Sequence, residues 1–173
     1  MSQTVLLPLL ILWLLVCMIH DLRSRQVPEK LTLYPLVAAG LYGFIQGWWM
    51  PVLLLPVLIL VSDWEPRGKR LLFAAVASVF AAIFEERTIV PVLALFTIWL
   101  LWEMGAMGGA DAKLLMVITL VVGNPWVLAL IALAGGVQGL IGLLTHKRSV
   151  PYVVAIFTGT LLYTVNVWWV QIL

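Results

Sequence analysis

The spacing of the charges constrains this chain more than any other feature. Apolar runs fall at roughly 3–20, 31–47, 50–62, 71–84, 88–104, 112–123, 125–144 and 151–171, and almost every charge sits in the gaps between them. A soluble domain of 173 residues cannot absorb a chain that is 64% hydrophobic and 10% charged, because its outer faces must meet water. In a bilayer the outer faces meet lipid, and the composition becomes reasonable. A mean hydropathy of +1.11 says the same. Backbone polar groups in lipid must be satisfied within the segment, so the runs are expected to be helices. The expected fold is an all-α, polytopic membrane bundle of about eight transmembrane helices, with residues 1–173 forming a single integral-membrane domain. A spanning helix needs about 20 residues. The runs at 50–62, 71–84 and 112–123 are shorter and need flanking residues, a thin bilayer or packing against neighbours.

The basic residues test the topology. With the first loop placed in the cytoplasm, alternation puts Arg23, Arg25, Lys30, Arg67, Lys69, Arg70, Lys113, Lys147 and Arg148 inside and only Arg87 outside. That is the positive-inside pattern. Trp48, Trp49, Trp126, Trp168 and Trp169 gather at the expected outer ends, where indole rings favour the interface. Both termini are then outside. No basic residue precedes the first apolar run, so that run is expected to be a retained helix rather than a cleaved signal peptide.

Several function classes drop out. A net charge of +2 gives no basis for nucleic-acid binding. A single cysteine, Cys17, excludes an internal disulfide and a multi-cysteine zinc site. His20 and His146, the two histidines, make no metal-ligand spacing, so neither a metal nor another cofactor is expected.

Two acids remain at informative places. Asp21 closes the first run and Asp111 opens the sixth. Four crossings lie between them, an even number, so both fall on the cytoplasmic side. Two carboxylates in one site are what aspartic-protease chemistry requires. One, ionised, takes a proton from water; the other, protonated, polarises the scissile carbonyl. Taken singly, each acid has an ordinary reading. Asp111 reads as a helix N-cap, and Asp21 as a solvated loop acid beside Arg23 and Arg25. Gly105, Gly108 and Gly109 read as a helix end. Together the glycines allow backbone to approach Asp111 closely, and ionisable groups near membrane depth are functional candidates. Glu29, Asp63, Glu65 and Glu103 add negative charge to the same side, in a position to attract a basic segment.

The stretches "DLRSRQVPEKLTL" and "GGADAKLL" together resemble the type IV prepilin peptidase family, including the preflagellin peptidases. These are intramembrane aspartyl proteases of the Gly-x-hydrophobic-Asp type. Gly108, Gly109, Ala110 and Asp111 fit that form, and Lys113 matches the lysine two residues on. Asp21, Arg23, Val27 and Pro28 match the basic loop after the first aspartate, and Pro151 and Gly159 weakly match the last helix. The resemblance implies that Asp21 and Asp111 are catalytic, with Gly108, Gly109, Ala110, Lys113, Arg23 and Pro28 in support. It implies pilin-like precursors as partners, each with a short basic leader and an apolar helix, cut at the cytoplasmic membrane face. Glu29 departs from the family, which often has asparagine there. The family also places fewer helices between its aspartates, so a six-helix core with a helix pair inserted within 48–104 is expected. The cysteine loop that accompanies methylation in the larger members is missing, which implies a peptidase-only form. A small ion or proton-coupled transporter, and an inactive scaffold homologue, are the alternatives. The transporter predicts acids at mid-membrane and a matching outer acid, where the chain has only Glu85 and Glu86.

Overall fold

A computed structural model describes residues 3–145 and 151–172. His146, Lys147 and Arg148 lie outside the described residues, so the last charges expected on the cytoplasmic side are known from sequence alone. Every expected apolar run forms a helix: α1 (Gln3–Ser24), α2 (Glu29–Ile45), α3 (Trp49–Val61), α4 (Arg67–Phe84), α5 (Ile89–Glu103), α6 (Gly109–Val122), α7 (Pro125–Leu144) and α8 (Tyr152–Ile172). A short 3-10 turn, Glu86–Thr88, precedes α5, and there is no strand among the described residues. Among the described residues three helices, α1, α7 and α8, are long and apolar enough to cross a membrane, fewer than the expected eight. The reason is length and charge. At 1.5 Å per residue, α3 with its 13 residues reaches only about 20 Å, against a hydrocarbon core of about 30 Å. The α4 helix begins inside its basic cluster at Arg67.

The chain forms two compact units, and the boundary falls inside α2. Unit 1 holds residues 1–32 and 124–173, and with them all three span-length helices. Here α8 packs on both α1 and α7. Leu7, Leu10, Leu14 and Cys17 are buried, at the three- and four-residue spacing of one helix face. Gly159 lies so close to Ile131 that a Cβ would strike the Ile131 backbone, so α7 and α8 meet through a small residue, as helices in lipid often do. Asn124 starts α7 by accepting a hydrogen bond from the Trp126 amide at 3.0 Å, with Pro125 in the first helical position. The Trp13 indole donates to the Leu31 carbonyl at 2.9 Å and ties the start of α2 to α1.

Unit 2 holds residues 33–123. The α5 helix packs on α3, α4 and α6, and α3 on α4. Nine of the fourteen residues of α6 are buried, so it is enclosed on all sides rather than along one stripe. On α4, small residues face inward (Ala74, Ser78 and Ala81) and bulky ones outward (Leu72, Phe73, Val76, Val79 and Phe80). Gly123 ends α6 at φ +66°, with the Trp48 ring where a side chain would go. Both units expose large apolar side chains. Only 22% of the apolar window of α1 and 17% of that of α7 are buried, a surface that suits lipid rather than water.

Candidate active site

The segment around Asp111 is built by two helix ends. Trp102 and Glu103 close α5, and the chain then turns through Gly105 at φ +73°. The Gly105 amide donates to the Trp102 carbonyl and the Ala106 amide to the Leu101 carbonyl, both at 2.9 Å, which is the Schellman pattern that a left-handed glycine permits. Extended backbone at Gly108 then starts α6. The cap position is therefore Gly108, and Asp111 is the third residue of the helix rather than its N-cap. An acid in this first turn is favoured by the helix dipole. Its carboxylate folds back over the glycine: a Cβ on Gly108 would lie 3.2 Å from Asp111 Oδ2. A Cβ on Gly109 would lie 3.3 Å from the Trp102 indole nitrogen. Both glycines thus sit where close approach is needed, one beneath the candidate acid and one beneath the tryptophan that ends α5. Ala110, Asp111 and Lys113 are half-buried, and neither Asp111 nor Lys113 is without a partner.

Asp21 belongs to unit 1. It lies in the last turn of α1, half-buried, one turn before the helix ends at Ser24. A carboxylate at a helix C-terminus opposes the dipole, which Arg23 in the same turn offsets. The Asp21 carbonyl accepts the Arg25 amide at 2.9 Å, and Arg25 turns the chain at φ +55°. The Ser24 hydroxyl bonds to the His20 and Gln26 carbonyls, both at 2.9 Å. Pro28 then precedes α2, its carbonyl accepting the Leu31 amide at 2.9 Å. The residues matched in sequence thus form two local sites, Asp21–Arg23–Pro28 in unit 1 and Gly108–Gly109–Ala110–Asp111–Lys113 in unit 2.

One sequence reading is corrected. Glu103 was expected to add negative charge to the cytoplasmic face, in a position to attract a basic segment. It is instead half-buried, its side chain 9% exposed, and paired with Arg70 at 2.8 Å. The Arg67 guanidinium donates to the Glu103 carbonyl at 3.0 Å. Arg70 also donates to the Ser62 carbonyl, while the Ser62 hydroxyl accepts the Trp99 indole N–H at 2.8 Å. A carboxylate neutralised this way adds little field for a basic ligand. Sequence reasoning missed this network because its residues are far apart in the chain, and Arg67 and Arg70 had been read only as topology signals. Asp63 and Glu65 are exposed, as expected. On the other loop, the Glu85 carboxylate accepts the Met50 amide at 3.2 Å and so caps α3, while Glu86 is exposed. No group of three metal-ligating side chains occurs among the described residues.

Compared with known protein families, curated proteins and solved structures, the chain matches none.

Proposed function

We propose that this protein is an intramembrane aspartyl endopeptidase that removes the short basic leader of pilin-like precursors at the cytoplasmic face of the cell membrane. In this proposal all eight helices cross or enter the bilayer, the short ones in locally thinned lipid. Asp21 and Asp111 act as a carboxylate pair: one activates water, the other protonates the carbonyl oxygen. The observation that carries the reading is the turn Gly108–Gly109–Ala110–Asp111. Its glycines are held under Asp111 and Trp102, and its acid starts an enclosed helix. Cleavage needs an extended substrate strand, because helical amides are shielded, and in this reading the strand is received beside the Asp111 turn. The loop "DLRSRQVP" supplies the second acid at the end of another helix. Co-expression with precursors bearing a basic leader and an apolar helix tests the proposal. Loss of the leader mass only when this protein is present is expected. Unprocessed precursors across a panel that a known prepilin peptidase does process would reject it.

A further inference from the structure

A groove follows the outer side of the α3–α4 hairpin. Lys69, Phe73, Val76 and Phe80 recur on α4 at spacings of four, three and four, so they share one face. Leu53 and Val57 of α3 form the opposite wall. The groove consists of two hollows, one of about 500 Å³ beside Trp64, Glu65 and Lys69, the other of about 340 Å³ beside Leu53, Val57 and Phe80. Phe73 and Val76 line both, so the two hollows adjoin along α4. Trp64 walls the polar end, its ring 5.1 Å from that of Phe73. The apolar walls are open: Phe73 is 44%, Val76 59% and Phe80 55% exposed.

The dimensions and the charges select an occupant. From Lys69 to Phe80 is 80 − 69 = 11 residues, about 16 Å of helix, or roughly half of the ~30 Å hydrocarbon core. The groove is therefore one leaflet deep. At its mouth Arg67 and Arg70 are committed to Glu103, whereas Lys69 and Glu65 line the hollow, exposed and of opposite sign. A headgroup with one anionic and one N–H-bearing cationic group matches both. We propose that this groove holds one phosphatidylethanolamine-type lipid. Its phosphate meets Lys69, its ammonium donates to Glu65, and an acyl chain lies along Phe73, Val76 and Phe80. A phosphatidylglycerol headgroup offers Glu65 a neutral glycerol in place of a cation, and a trimethylated headgroup offers no N–H for a charge-assisted hydrogen bond. The proposal rests on the chain being embedded in a bilayer and is independent of peptidase activity.

The test uses the full chain in bilayers of equal phosphatidylethanolamine, phosphatidylglycerol and phosphatidylcholine, released into mild detergent and weighed by native mass spectrometry. Wild type should retain one phosphatidylethanolamine about threefold over either competitor, the range an exposed charge pair provides. Glu65→Lys should shift the preference to phosphatidylglycerol. Val76→Trp, at an exposed position, should fill the groove and lose the lipid with helical content unchanged. Equal retention of all three lipids, retention by Val76→Trp, or a second copy or precursor copurifying in place of lipid overturns the proposal. Resistance of the membrane-bound chain to carbonate extraction is measured first. An extractable chain would overturn the membrane reading itself, separately from the headgroup preference.

Discussion

Arg70→Met removes the guanidinium that Glu103 faces at 2.8 Å and leaves that carboxylate, 9% exposed, with one neutralising partner fewer. Breaking a buried pair from one side costs about 3–5 kcal/mol. Arg70 is itself 20% exposed, so some water reaches the site, and about 2–3 kcal/mol is expected here. The Ser62 carbonyl loses its Arg70 donor as well, which keeps the figure from falling further. Glu103→Leu is milder, about 1–2 kcal/mol, because the long arginine stem can carry its charge toward water. The double variant exchanges the pair for apolar contact and should cost less than the sum of the singles by about 2 kcal/mol. The assay is denaturant unfolding in mixed micelles followed by helical circular dichroism, with all four chains in one double-mutant cycle. Additivity to within about 0.5 kcal/mol would refute the coupling and with it the burial of this network. The network fastens the α3–α4 hairpin to the end of α5, from which the Asp111 turn departs, so its loss should loosen that turn.

Gly108→Ala should fold normally, since φ −71° and ψ 151° suit alanine, yet cleavage should drop about tenfold as the new Cβ displaces the Asp111 carboxylate; unfolding and cleavage measured on the same preparation separate the two effects. Gly159→Ala should cost about 1–3 kcal/mol by overpacking against the Ile131 backbone, while Gly136→Ala, which meets nothing, should be neutral or mildly stabilising, and thermal melting compares them. In a Cys17→Ser background, single cysteines at Trp64 and Trp126 should label from opposite sides of the membrane, as the proposed topology requires.

The helices were legible because charge spacing marks their ends, and all eight runs became helices. Their limits were less so. Arg67, Lys69 and Arg70 read as loop, but they join the first turns of α4, with Arg67 and Arg70 fixed by Glu103 and Ser62. Asp111 read as a cap, but Gly108 takes that place, because an extended glycine lets the acid fold back from the third position. The Glu85 cap on α3 joins residues 35 apart, and the Arg70–Glu103 pair is equally non-local, so no window of sequence could display either. The close approach at Gly159 appeared in sequence only as a weak motif, and its physical cause is the Ile131 backbone.

The most direct test of the account is leader removal by purified protein carrying Asp111→Asn or Asp21→Asn, read by intact mass of the precursor. Asparagine keeps the size of each side chain, and the loss of one charge from the first turn of α6 costs only about 0.3–1 kcal/mol, so the variants should remain folded. The account predicts a trimmed precursor with wild type and an intact one with either variant. Wild-type cleavage that persists with Asp111→Asn would contradict it, because Asp111 would then serve only the start of its helix.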